Sequence, residues 1–262
     1  MSESTGRVAV ITGAGRGIGR CISEVLAAAG YRLALIDQVY PEETLKAVAA
    51  SDTTALGICA DVSSEHDVDS ATTAIFSEFG RADVLVNNAG IGLIAPAEET
   101  TADQWRRILD VNLTGPFLVS RALGVAMLEN GIRGSIVNIA SIAGLNGIPD
   151  RSAYNASKHG LIGLTRTLAL EWGARGVRVN AVCPAFVKTD MDSADQDSGA
   201  YTEADILERT PLGRFAVPED VAKAVAFLAD ETKSGFINGA ALPVDGGWSS
   251  DAGWRSLSLR KR

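Results

Sequence analysis

The sequence predicts an α/β protein: a doubly wound parallel sheet with helices on both faces, three α/β/α layers in a single domain over residues 1–262. Three observations carry this. Short apolar runs alternate with amphipathic stretches, the first run ends in a glycine-rich turn that opens a helix, and no linker or composition shift divides the 262 residues.

Val8-Ala9-Val10-Ile11 reads as a buried strand, and Cys21 to Ala29 as an apolar helix stopped by Gly30. Strands are expected near Arg32 to Ile36, Ala55 to Ala60 and Asp83 to Val86, with helices near Pro41 to Ala50 and Glu65 to Phe79 between them. One long helix is expected from about Ala102 to Glu129, followed by a strand at Ser135 to Ile139, a helix from about Tyr154 to Trp172 and a buried strand at Val177 to Val182. Pro218 to Leu228, opened by proline and acids, reads as a helix, and Ala240 to Val244 as the last strand. The polar segment Lys188 to Phe215 follows a strand where an α/β fold places its ligand crevice, so a substrate lid is expected over 188–215. The tail 249–262 lacks periodicity and is divided between a frayed end and a subunit contact.

A net charge of −8 argues against nucleic acid and anionic membrane surfaces, since both reward basic proteins. No continuous apolar run approaches the roughly 18 to 20 residues of a membrane span, and a cytoplasmic location is expected. Cys21, Cys59 and Cys183 are odd in number and far apart, which suits reduced thiols better than a disulfide framework. With His66 and His159 the only histidines, no metal site is expected.

The turn Thr12-Gly13-Ala14-Gly15-Arg16-Gly17-Ile18-Gly19 joins the first strand to the first helix. Glycines there allow unusual backbone angles and close approach of a pyrophosphate, and the helix amino terminus offers unpaired N–H groups. That placement makes the fold Rossmann-type, with Gly13, Arg16, Gly17, Ile18 and Gly19 as cofactor residues. Asp37 closes the second strand, where its carboxylate accepts from ribose hydroxyls and repels a 2′-phosphate, so NAD is favoured over NADP. Arg16 pulls the other way, because a guanidinium welcomes phosphate. Asp61-Val62 and Asn88-Ala89-Gly90 end the third and fourth strands, where they are expected to wrap adenine and ribose.

Tyr154 and Lys158 are four residues apart, which on a helix stacks a phenol and an ammonium on one face. A unit charge at ~4 Å in an effective dielectric of about 20 contributes roughly 4 kcal/mol, enough to lower a phenol's pKa by about 3. Tyr154 is thereby expected to exchange a proton near neutral pH, with Ser141 thirteen residues upstream able to hydrogen-bond the same substrate oxygen.

Taken in order, Thr12-Gly13, Gly17-Ile18-Gly19, Asp61, Asn87-Asn88-Ala89-Gly90, Asn112, Ser141, Tyr154 and Lys158 resemble the short-chain dehydrogenase/reductase family over nearly the whole chain. The resemblance implies that Tyr154 is the acid/base and that Lys158 lowers its pKa and holds the nicotinamide ribose. It implies further that Ser141 orients the substrate oxygen and Asn112 supports a water-linked relay to the lysine. Val187 and Thr189 match the positions that hold the carboxamide, and a homotetramer or homodimer is implied. Pro184-Ala185 departs from the Pro-Gly expected after the strand.

The substrate is expected to be a small polyol, sugar or hydroxylated ring alcohol, or the matching ketone, contacted by Ser141, Asn146, Arg151 and Tyr154, with Leu93, Ile94, Leu145 and Ile148 as apolar contacts. Two alternatives stay open: an NADPH-dependent 3-oxoacyl-thioester reductase, and a non-catalytic dinucleotide-binding sensor. A serine hydrolase is excluded, because no Gly-x-Ser-x-Gly elbow is present.

Overall fold

Every strand pairing in the sheet is parallel, and the order is β3-β2-β1-β4-β5-β6-β7. The strands are β1 Val8–Thr12, β2 Arg32–Asp37, β3 Ala55–Cys59, β4 Val84–Asn87, β5 Ser135–Ile139, β6 Arg178–Pro184 and β7 Ala241–Val244. The computed structural model describes residues 6–189 and 201–250. Residues 190–200 of the expected lid and 251–262 of the expected tail lie outside the described residues.

Alternation along each strand builds two cores. Val8 and Val10 face one side with Ile36, Leu85, Ile136 and Val179. Ala9 and Ile11 face the other with Leu35, Val86, Val137 and Val182. The first layer of helices is α3 Glu65–Phe79, α5 Gly115–Glu129 and α6 Ser152–Gly173. The second is α1 Gly17–Ala28, α2 Glu42–Ala49 and α8 Pro218–Ala229. Strand order reverses between β1 and β4, which opens a crevice at the carboxyl ends of the strands.

The long helix expected from Ala102 to Glu129 is not uniform. It consists of α4 Ala102–Leu109, a π-helical turn Asp110–Thr114 and α5. A π turn adds one residue to a helical turn without changing composition, so apolar periodicity does not reveal it. By length and apolarity these 28 residues would suffice to cross a membrane, yet 56% of their most apolar window is buried inside the fold. The expected lid contains one described helix, α7 Glu203–Arg209, and a short α9, Glu231–Ser234, precedes β7.

Candidate active site

A cleft of about 650 Å3 lies at the carboxyl edge of the sheet. Gly13, Arg16, Gly17, Ile18, Asp37, Val62, Asn88, Ala89 and Gly90 are among the residues that line it, as are Ser141, Arg151, Tyr154, Lys158, Val187 and Thr189.

The glycine turn leaves β1 with Gly13 at φ +63° and enters α1 with Gly17 at φ +55°. A Cβ on Gly13 would lie 2.8 Å from Ala89 Cα, so only glycine lets the β1 and β4 loops touch. Asn88 Nδ2 staples them by donating to the carbonyls of Thr12 at 3.0 Å and Gly13 at 2.9 Å. Gly19 does not reach the cleft lining: its absent Cβ makes room for Gly13 O beneath the turn. Arg16 caps α1 without a side-chain cap hydrogen bond, so the helix amino terminus is not closed by its own cap residue. A pyrophosphate fits such a turn, and the residues present suit a dinucleotide.

At the end of β2 the Asp37 carboxylate accepts from Gly15 N–H at 2.8 Å, which fixes it against the turn. Asp61 departs from its expected place. It lies beside the cleft wall, its oxygens accepting from Ser63 N–H and Oγ, Gln38 Nε2 and Arg107. Burial pushes this carboxyl up, but the Ser63 and Arg107 contacts outweigh burial and hold it below the usual range. Gln38 and Arg107 themselves line the cleft. Sequence reasoning missed both, since Arg107 reaches Asp61 from 46 residues away and belongs to no local motif.

Lys158 and Tyr154 share one face of α6, the ammonium 5.6 Å from the centroid of the phenol ring. Lys158 is 4% exposed, and its Nζ donates to Ile139 O at 2.8 Å. Burial pushes the ammonium's pKa down to about 8 from the ordinary 10.5. Its charge at neutral pH is therefore retained, though less securely than an exposed lysine's. Cys183 at the end of β6 borders the same ammonium, and burial pushes its thiol up to about 11. Ser141 opens a 3-10 turn, Ile142–Gly144, and its Oγ accepts from Ala143 N–H at 3.1 Å.

Asn112 is fully buried behind the cleft in the π turn and does not line it. Its Oδ1 accepts from Ile91 N–H and its Nδ2 donates to Ile91 O, each at 2.9 Å, locking the segment after Gly90. Nδ2 also lies 3.3 Å from Ser157 Oγ, which donates to Tyr154 O at 2.7 Å. A Cβ on Gly90 would come within 3.3 Å of Asn112 Oδ1 and 3.6 Å of Lys158 Nζ. Small size at Gly90 thus keeps the amide and the ammonium as neighbours.

Asp150, at φ +57°, turns the chain into α6, and its carbonyl accepts from Ala95 N–H at 2.8 Å. This clamps the loop after β4 to the loop that carries Arg151. Asn146 is exposed and absent from the cleft wall; Leu93, Ile94 and Leu145, each partly buried, are absent from it too, whereas Ile148 is present. Asn155 ties α6 to that loop instead, donating to Ile148 O at 2.9 Å. Ala185 avoids the left-handed region, so alanine in place of glycine is unstrained. Chemically, the arrangement presents two hydroxyls, Ser141 and Tyr154, to one cleft, with a buried cation beneath the phenol.

A sequence profile described as enoyl-(acyl carrier protein) reductase matches residues 13–249. The D-threitol dehydrogenase of Mycolicibacterium smegmatis is 42% identical over 247 residues, 93% of each chain. The 2,5-dichloro-2,5-cyclohexadiene-1,4-diol dehydrogenase of Sphingobium indicum is 38% identical over 95% of this chain and 100% of that one. A crystal structure from Agrobacterium tumefaciens, named as a 2-deoxy-D-gluconate 3-dehydrogenase with bound NADP, matches with a TM-score of 0.86 at 37% identity, over 94% of this chain and 97% of that one.

Proposed function

The chain belongs to the short-chain dehydrogenase/reductase family, and on that premise we propose that Tyr154 is its acid/base, with Ser141 and Lys158 completing the catalytic set and Asn112 positioning it from behind. The reaction is the interconversion of a secondary alcohol and a ketone, on polyol or ring substrates. Bound in the cleft, NAD(P) supplies the acceptor or donor of the hydride. The observation that carries the residue assignment is the Lys158 ammonium, buried 5.6 Å from the Tyr154 ring centroid.

In the oxidative direction Tyr154 takes the hydroxyl proton as hydride leaves the carbinol carbon, and in reduction it returns that proton to the carbonyl oxygen. Ser141 Oγ donates to the same oxygen and holds it as charge develops. The Lys158 charge, 5.6 Å from the centroid of the phenol ring, favours tyrosinate over the neutral phenol. Asn112 acts behind the site, through Ile91 and Ser157, to keep the loop and the first turn of α6 in place.

NAD is favoured over NADP. The support is the Asp37 carboxylate at the end of β2, held by Gly15 N–H at 2.8 Å, because a carboxylate beside an adenosine ribose would repel a 2′-phosphate. Arg16, on the same cleft wall, is the opposing feature. The assembly is a homotetramer or homodimer, supported by half-exposed Trp105, Phe117 and Val125 along α4 and α5. Mass measurement in solution tests it, and a stable monomer would refute it.

The test of the site is Tyr154→Phe, assayed with NAD and NADP in parallel against alcohols and ketones. Turnover is expected to fall by about 10^3 while cofactor binding persists. Unchanged turnover would remove Tyr154 from the mechanism.

A further inference from the structure

Beyond the Ser141 and Tyr154 hydroxyls, the cleft is bounded by Ile148, Phe186 and Tyr201. Phe186 and Tyr201 meet edge to face, their centroids 5.0 Å apart at 73°. Aromatic pairs prefer this geometry, and it fixes both rings. Trp248 lies behind them, packed on Phe186 at 5.1 Å and 8% exposed. The Arg209 guanidinium of α7 covers Trp248 in turn, 4.5 Å from its centroid.

The bracing continues into the backbone. Asp245 closes the turn that carries Trp248 by accepting from Gly247 N–H at 2.9 Å and Ser249 N–H at 2.8 Å. Ile142, Ile206 and Phe215 form a small buried core with Trp248, on which Phe186 and Tyr201 rest. Separate segments of the chain thus converge to hold one aromatic wall, with Arg151 the charged exception at that end of the cleft.

A fixed aromatic wall selects by what it desolvates. A ring with a hydrocarbon face covers Phe186 and Tyr201 at no cost in hydrogen bonds. An open-chain polyol carries a hydroxyl on every carbon, and those turned onto the rings give up water without replacement. We infer that the substrate is a ring-bearing secondary alcohol or ketone whose hydrocarbon face packs on Phe186 and Tyr201, in preference to an open-chain polyol. The inference rests on the hydride-transfer reading given above. Phe186 and Tyr201 are specificity-determining residues, and Trp248, which does not line the cleft, is a positioning residue.

The experiment compares kcat/KM for a cyclohexanediol and an open-chain tetritol, with NAD and with NADP, in the wild-type protein and in variants checked for folding by thermal melting. Wild type is expected to prefer the cyclic diol by at least about tenfold. Tyr201→Ala and Phe186→Leu lower that preference by about tenfold, and Tyr201→Phe keeps it within about twofold. Trp248→Leu lowers it by about threefold through KM for the cyclic diol, with kcat for that substrate preserved. Equal or better use of the tetritol by wild type, or a preference untouched by Tyr201→Ala, would overturn the inference and leave the oxidoreductase reading standing. No turnover of either class by a protein that binds cofactor would overturn both.

Discussion

Replacing Lys158 by methionine is predicted to make the cofactor-free protein more stable at neutral pH while abolishing its activity. Burial lowers the pKa of this ammonium from 10.5 to about 8. At roughly 1.4 kcal/mol per pKa unit, the folded protein carries a cost of about 3 kcal/mol for keeping the charge inside. Methionine removes that cost and fills a similar volume. It also leaves Ile139 O without the charged Lys158 donor, a loss of about 2 kcal/mol. The net gain is about 1 kcal/mol, or a rise in Tm of about 2–4 °C for a domain of this size.

The pH dependence gives the sign. Below the folded pKa of about 8 the lysine is protonated in both states, and the full cost is present. Between about 8 and 10.5 the unfolded chain binds more protons than the native one, so wild-type stability rises with pH. Above that window the cost has vanished. Denaturant unfolding of wild type and Lys158→Met, at one protein concentration and at pH values spanning the window, measures the gap. A variant less stable than wild type at pH 7, or a gap that fails to narrow as pH rises, would refute the reasoning.

Two further predictions concern the reaction. The same lysine loses its charge as pH rises, so kcat/KM should decline on an alkaline limb with an apparent pKa near 8, read from initial rates across pH. A flat profile from pH 7 to 10 would contradict the role given to the ammonium. Asp37→Ser removes the carboxylate held at Gly15 and should raise kcat/KM for NADP by about tenfold or more while lowering that for NAD, and an unaltered cofactor ratio would show that selection lies elsewhere.

What the sequence made legible is whatever is encoded locally. Apolar runs bounded by glycine locate the strands, and four-residue spacing puts Tyr154 and Lys158 on one face of α6. Several features needed the third dimension. The depressed pKa of Lys158 comes from burial that no spacing rule reports, since Ile139 and Cys183 reach it from neighbouring strands. Arg107 and Gln38 engage Asp61 from α4 and the end of β2, a contact that no local motif reports. Asn146, polar and in the right loop, is exposed, and Asn155 makes the tie to that loop. Phe186, Tyr201 and Trp248 are scattered along the chain and belong to no local motif, so only folding brings them together.

The π turn at Asp110–Thr114 also bears on how this chain can change over time. A residue inserted into a helix shifts the phase of everything after it by about 100°. Leu118, Leu123 and Met127 lie downstream of that shift and are buried in the core, whereas α4 upstream of it buries only Ile108. Removing one residue from the turn would put the two helices out of phase by about 100°, so that either the core contacts of α5 or the seat of Asn112 and α4 would be displaced. The bulge that seats Asn112 therefore cannot be lost without a cost to the core or to the site. A local irregularity that serves chemistry is in this way insured by the packing of the helix that follows it.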